Sequence, residues 1–274
     1  KKSLIALAVL AASGAAMAQS SVTLYGIADI YVAKVKGQSA AAGSGGVNTS
    51  RLGFKGSEDL GGGLSAIFQF EQKLSLGDGS TNDKLFDRQA NVGLAGGFGT
   101  LKLGRNWNAM DDIFGASNSG FDSVLSAANV WQNSYTGAAD AQLYYATPEF
   151  AGVSGAVSTQ LTGNVPAGAK RISAGHVKYA GGPVAVALGY ETNEVGQKGT
   201  MLNGSYDLGA AKLLASYYTT KDTGGVADAD VNSYQLGADI PLGAVTLSVG
   251  YASSKVDGAS ESTKGFGVAA GYSL

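Results

Sequence analysis

Few side chains of this sequence are suited to catalysis. His176, within the segment 174–178, is the only histidine among 274 residues, and cysteine is absent. A histidine-based hydrolase would need a nucleophilic serine and an acid beside the same imidazole. No nucleophile-elbow pattern precedes a helix here, and thiolate or histidine-rich metal sites are excluded. We therefore predict a non-enzyme without metal or cofactor, in which His176 has a wall or interface role.

One long stretch of the sequence carries acidic residues without any basic residue. Residues 106–140 hold Asp111, Asp112, Asp122 and Asp140 but neither Lys nor Arg, and they form the longest stretch without a periodic pattern. A loop of that length is usually functional. The formal net charge of −2 gives no reason to expect a nucleic acid partner.

The first eighteen residues have the features of a targeting segment. Lys1 and Lys2 precede the apolar run Leu4–Leu10, and Ala16–Ala18 has the small-x-small pattern of a cleavage site. The apolar run is too short to cross a bilayer, which needs about 20 residues. We predict a signal peptide over 1–18, which leaves 19–274 as one exported domain.

Most of the remaining chain alternates with period 2. Residues 22–32 place aliphatic side chains opposite a face that holds Asp29, and the next two segments place Arg51, Lys55 and Glu71 opposite aliphatic or aromatic residues. This alternation predicts strands with one apolar and one polar environment. It predicts that Asp29, Arg51 and Glu71 point to the polar side.

About fourteen such segments can be counted, and the connections between them alternate between short and long. Every other connection is tight, as in an up-and-down barrel that spans a membrane. A β-sandwich would not need this regularity, and no fixed-length repeat indicates a solenoid. We therefore predict an all-β fold, an antiparallel transmembrane β-barrel. The segments begin near Val22, Ser50, Leu64, Arg88, Thr100, Gln142, Val153, Arg171, Val184, Thr200, Lys212, Val231, Val245 and Lys264.

Several stretches resemble the general trimeric porins of Gram-negative outer membranes, in their β-proteobacterial form. The resemblance is dense over residues 1–152 and continues more diffusely to the end. The most specific stretch runs from Ser50 to Gly63. It is supported by Ser21–Gly26, Arg88–Leu94, Gly97–Arg105 and Pro148–Gly152.

This resemblance implies a sixteen-stranded homotrimeric barrel in the outer membrane, through which ions and small hydrophilic solutes diffuse. It also implies that the third long loop, about Asn106 to Asp140, folds inward and narrows the pore. Arg51 and Arg88 match basic wall positions of the family. We expect a constriction between the basic residues Arg51, Lys55 and Arg88 and the acidic loop residues Asp111, Asp112 and Asp122, with Asp29 and Glu71 adding negative potential.

The sequence also departs from the family pattern. A third basic wall position falls at Ala138, and a first-strand lysine found in some relatives falls at Ile27. These departures leave the sign of the ion selectivity open. The chain stops at Leu274, whereas the family ends in an aromatic residue two strands later, so we interpret the sequence as a fragment without its initiator Met and last strands. A native fourteen-stranded barrel is the alternative.

A second function remains open at this point. Long surface loops could instead serve a structural or adhesive barrel that binds a host or phage receptor and has a plugged lumen. Single-channel conductance would distinguish that protein from a diffusion pore.

Overall fold

The structure is a computed structural model that describes residues 21–34, 36–120, 123–221 and 230–272. The predicted signal peptide (1–18) lies outside these residues. Among them, helices are confined to single turns, none of which has the length and apolarity needed to cross a bilayer.

Sixteen strands make up nearly all of the regular structure in the described part of the chain. They are β1 (Ser21–Ile27), β2 (Ile30–Ala33), β3 (Ala41–Ser44), β4 (Arg51–Gly61), β5 (Leu64–Lys73), β6 (Gln89–Gly96), β7 (Gly99–Trp107), β8 (Ala138–Ala146), β9 (Val153–Gln160), β10 (Ser173–Gly181), β11 (Val184–Thr192), β12 (Lys198–Asp207), β13 (Lys212–Lys221), β14 (Val231–Leu242), β15 (Val245–Val256) and β16 (Thr263–Tyr272). Strands β2 and β3 pair only with each other, and the other strands form one 14-stranded sheet.

The large sheet is an antiparallel meander in which β1 pairs with β4 and every later strand pairs with the next one along the chain. Six connections at one end of the sheet are short turns of two to six residues. At the other end, the longest connection is the segment 108–137. The prediction of an all-β up-and-down fold is confirmed. Thirteen of the fourteen predicted segments begin within two residues of an observed strand.

One face of the sheet is apolar and exposed. Along β1 and β4 the side chains of Val22, Leu24, Leu52 and Phe54 point to this face, and Val22 is 69% exposed. The alternation continues to β16, where Phe266 is 82% exposed. Such a continuous band of exposed aliphatic and aromatic side chains is typical of a lipid-facing barrel wall. We call this the outer face and the opposite one the inner face.

The inner face surrounds the described residues 108–120 and 123–137; we call residues 108–137 the inner loop. Although this stretch has no periodic pattern in the sequence, it contains a short helix α1 (Asp111–Phe114) and a 3₁₀ turn at Ala127–Val130. Met110 and Ile113 are almost fully buried between the loop and the wall, beside Met201 and Tyr218. The molecule's hydrophobic core therefore lies inside the curved sheet, around the loop.

The predicted continuous strand over 22–32 is wrong, because the chain turns at Asp29. The Asp29 carboxylate accepts hydrogen bonds from the backbone N–H groups of Gly46, Val47 and Asn48 at 2.7–2.9 Å. These bonds fold β2 and β3 into a separate hairpin at the end of the wall. Alternation could not reveal this turn, because β2 continues the same aliphatic pattern.

Strand β8 begins at Ala138, four residues before the predicted start at Gln142. Its pairing with β7 shifts between Gly104 and Asn106, and Ala141 adopts a positive φ of 49°. A bulge reverses the side-chain alternation, because one extra residue on a strand moves every later side chain to the other face. The period-2 pattern is therefore interrupted just where the strand starts.

Candidate functional site: the inner loop and the charged wall

The ends of the inner loop are held by one buried carboxylate. Glu191, near the end of β11, is 3% exposed. It accepts hydrogen bonds from the Asn108 side chain at 3.0 Å, from the Thr136 backbone N–H at 3.2 Å and from the Tyr218 hydroxyl at 2.8 Å. Because Asn108 begins the loop and Thr136 nearly ends it, Glu191 fixes both ends to the wall.

Asn133 forms a second attachment on the neighbouring strands. Its side-chain amide donates to the carbonyl oxygens of Tyr218 and Val231, at 3.3 and 3.2 Å, and its oxygen accepts from the Ser233 hydroxyl at 2.6 Å. Asn133 thereby satisfies backbone and side-chain groups of β13 and β14 together. Buried polar groups with complete partners fix a unique geometry.

Two glycines let the loop approach β16 closely. A Cβ atom at Gly267 would lie under 3.0 Å from the carbonyl oxygen of Leu125 and from the N–H of Ala127, and one at Gly265 would meet the side chain of Val130. The inner face of β16 thus has no side chains here, and the loop backbone occupies their place.

A cluster of titratable groups holds α1 against β8 and β10. The Tyr144 hydroxyl donates to the Asp112 carboxylate at 2.6 Å, and His176 Nδ1 lies 2.7 Å from the carbonyl oxygen of Ala109 and 3.7 Å from Asp112. The Lys102 ammonium lies 4.3 Å from the centre of the Tyr144 ring. These contacts support the wall role predicted for His176 and place Asp112 at an attachment point of the loop.

On the opposite part of the wall, two arginines share one carboxylate. Glu71 on β5 is 4% exposed, and its Oε1 lies 2.5 Å from Arg88 Nε and 4.0 Å from Arg51 NH1. Its Oε2 accepts from the Tyr25 hydroxyl at 2.9 Å. The Arg88 guanidinium also lies 4.8 Å from the centre of the Trp107 ring, within cation–π distance. Alternation could not place Arg88, which lies one residue before β6, whereas its contact with Glu71 places it on the inner face.

A cavity of about 470 Å³ separates this basic wall from the loop. The wall contributes Arg51, Arg88 and Trp107, and the loop contributes Asp111 and the aromatic residues Phe114, Trp131 and Tyr135. The carboxylate of Asp111 accepts a hydrogen bond from the Tyr135 hydroxyl. The structure therefore brings Arg51, Arg88 and Asp111 to one cavity, as the predicted constriction requires.

The other predicted residues lie elsewhere. Lys55 is exposed on the inner face, 5.4 Å from the centre of the Tyr25 ring, and does not line this cavity. Asp29 lies in the turn after β1 rather than on a strand, and the N–H groups of Asn48 and Val47 lower the pKa of its carboxyl group. Asp122 lies outside the described residues.

Sequence reasoning missed the residues that hold the loop. Glu191 lies beyond the clear alternation of the segment that begins near Val184, and Asn133 lies in the stretch without a periodic pattern, so neither gave a signal. Ser119, Gln132 and Asn203 form further links between loop and wall. Only their partners, which are 90 or more residues away along the chain, reveal these roles.

Comparison with known proteins identifies this architecture. The family model of the Gram-negative porins matches residues 4–274. The outer membrane porin protein 32 of Delftia acidovorans is 39% identical, over 89% of this chain and 77% of that protein. An outer membrane porin of Bordetella pertussis is 32% identical, over 81% of this chain and 70% of that protein.

A solved structure described as an anion-selective porin from Comamonas acidovorans superimposes with a TM-score of 0.79. It is 29% identical and is matched over 83% of its length by 91% of this chain. The match confirms the predicted transmembrane barrel architecture, with strands that enclose an inward-folded loop. The chain therefore belongs to the Gram-negative porin family and is an outer-membrane porin, which allows ions and small hydrophilic solutes to diffuse through its lumen.

Proposed function

We propose that the cavity between the basic wall and the inner loop is the constriction of this pore, and that it favours anions modestly. The observation that carries this proposal is that Arg51 and Arg88 share the single carboxylate of Glu71. Two positive charges against one negative charge leave an excess of one on the wall. The porin of known structure described as anion-selective supports the same sign.

The excess positive charge is carried by Arg51. Arg88 is bound tightly by Glu71 and stacked on Trp107, whereas Arg51 is only 4.0 Å from the same carboxylate and its side chain is 20% exposed. On the loop side, the Asp111 carboxylate accepts a hydrogen bond from the Tyr135 hydroxyl. This bond holds Asp111 on the loop, across the cavity from Arg51. One unpaired positive charge attracts an anion about 8 Å away in water by roughly 0.5 kcal/mol. This energy corresponds to about a twofold change in the local anion concentration.

The test is the reversal potential of the reconstituted protein in a salt gradient. Arg51→Gln is expected to shift the potential toward cation preference, by about a twofold change in permeability ratio. Arg171→Gln makes the same charge change at an exposed position just before β10 and serves as the control. An unchanged potential in Arg51→Gln, or an equal shift in both variants, would contradict the assignment.

We also propose that the protein is a homotrimer without enzymatic activity. An apolar groove of about 620 Å³ on the outer face is bordered by Val22, Phe68, Val92, Leu103 and Leu143, and it supports a subunit contact there. The family consists of transport channels rather than enzymes. Conductance that rises in groups of three equal steps would support a trimer, and silent membranes would favour an adhesive barrel.

A further inference from the structure

The constriction cavity is lined by aromatic rings as well as by charges. Besides Arg51 and Arg88, its lining includes Trp107 on the wall and Phe114, Trp131 and Tyr135 on the loop. Each of these aromatic residues is only partly buried. Diffusion of hydrated ions does not require apolar rings at the narrowest point, so this lining calls for a separate explanation.

The three loop rings form one connected surface. The ring centres of Phe114 and Tyr135 are 4.1 Å apart, and those of Phe114 and Trp131 are 5.9 Å apart with the rings edge to face. Tyr218 backs this surface from β13, where it is 1% exposed and stacks on Trp131 at 6.3 Å. The wall therefore fixes the positions of the loop rings while leaving part of each ring open to the cavity.

The basic wall supplies the complementary charge. Arg51 lines the same cavity and is the less tightly paired of the two arginines, so its guanidinium can donate to a passing carboxylate. A volume of about 470 Å³ lies within the range of pockets that hold small organic molecules. Offset or edge-to-face contacts between rings add stabilisation beyond simple burial.

We propose that this cavity is a weak binding site for small aromatic carboxylates, with the ring against Phe114, Trp131 and Tyr135 and the carboxylate toward Arg51. The proposal rests on the proposed constriction, because a solute bound in this cavity interrupts the current only if the cavity lies on the path of the ions. Aromatic cations are disfavoured, because two guanidinium groups, those of Arg51 and Arg88, line the cavity against the one carboxylate of Asp111. The pore would then slow aromatic acids selectively among anions of similar size.

The test compares benzoate with cyclohexanecarboxylate in single-channel recordings of the reconstituted protein. The two anions have the same charge and similar size, but only benzoate has an aromatic ring. We expect benzoate to interrupt the current about threefold longer per event. Benzylammonium, which carries the opposite charge, should cause no such interruptions.

Substitutions locate the effect. Trp131→Leu and Phe114→Leu should remove the difference between the two anions, and Arg51→Gln should shorten the interruptions by both. Phe266→Leu makes the same type of change on the lipid-facing side of β16 and should keep the difference.

The outcomes separate this proposal from the proposed function. Open-channel steps with an Arg51-dependent reversal potential, but equal interruptions by the two anions, would overturn the aromatic site and leave the constriction standing. A benzoate effect that persists in both ring variants would also overturn it. A reversal potential that does not depend on Arg51 would overturn the constriction and the site together.

Discussion

The inner faces of the two parts of the wall use their polar groups differently. On β11 to β16, the inner-face side chains of Glu191, Ser233 and Ser254 are turned to the inner loop and form hydrogen bonds with it. On β4 to β6, Arg51 and Arg88 are turned to the cavity and share a carboxylate that cannot neutralise both. One part of the wall positions the loop, and the other supplies the charge that the loop faces.

This difference shows how a pore can keep a charged passage in a defined shape. A buried polar group left unpaired costs about 1–3 kcal/mol, so the anchoring part of the wall has one preferred loop geometry. The two arginines border the cavity and share one carboxylate, so the basic part of the wall carries an excess of positive charge there. The position of the loop and the charge of the basic wall can therefore vary independently. Substitutions of the anchoring residues should change conductance, and substitutions of the basic wall should change the reversal potential.

The largest effect is expected for Glu191→Ala. It leaves Asn108, the Thr136 N–H and the Tyr218 hydroxyl without their shared acceptor, at a cost of about 3 kcal/mol. Both loop ends then lose this shared attachment to the wall, so single-channel conductance should rise and become heterogeneous. Glu191→Gln keeps an acceptor oxygen and should give an intermediate result. Normal, uniform conductance in Glu191→Ala would contradict the anchoring role.

The next effect concerns the close approach of loop and β16. Gly267→Ala places a Cβ against the Leu125 carbonyl, which should cost about 1–3 kcal/mol in stability and displace the loop. Gly271→Ala is a matched control on the same strand and face, because its Cβ would have no neighbour closer than 4.0 Å. Thermal denaturation should separate the two variants. Equal melting temperatures would mean that the loop does not depend on this contact.

A smaller effect is expected on the basic side of the cavity, and its sign is opposite to that expected for Arg51→Gln. Glu71→Gln removes the carboxylate shared by Arg51 and Arg88, so the reversal potential should move further toward anions, by about a twofold change in permeability ratio. Conductance should stay uniform, because the loop anchors are untouched. If Glu71→Gln instead produced the heterogeneity expected for Glu191→Ala, the proposed division between the two sides would be wrong.

The smallest effect concerns the turn at Asp29, whose carboxylate holds residues 46–48, the segment that contacts the inner loop at Val124. The Gly46 carbonyl accepts a hydrogen bond from the Val124 N–H at 2.8 Å. Because the folded pKa of Asp29 is lowered, its stabilisation is present above the unfolded value of about 3.9 and is lost as the pH falls through the folded pKa. Limited proteolysis within 28–50 should therefore increase only at acid pH. Asp29→Asn should show the same sensitivity at neutral pH, and Asp59→Asn, in the wall, should not.

Much of the fold could be predicted because period-2 alternation is a local signal. The starts of β5, β9, β11 and β13 to β15 agree with it to the residue. It failed at Asp29, where hydrogen bonds to the backbone of residues 46–48 overrode it, and near Ala141, where a bulge reversed it. For the site, Arg51 could be placed by alternation, whereas Arg88 needed its contact with Glu71.

By itself the sequence determined most of the wall strands, their order, the approximate length of the inner loop and the acidic character of that loop, because each depends on residues close together along the chain. The tertiary structure alone decided which strands of the wall the inner loop contacts. It also decided that Glu191 serves as an anchor while Glu71 serves as a shared counter-ion. Two carboxylates on strands of similar pattern differ in this way because the donors that surround them come from distant segments, and only folding brings those donors together.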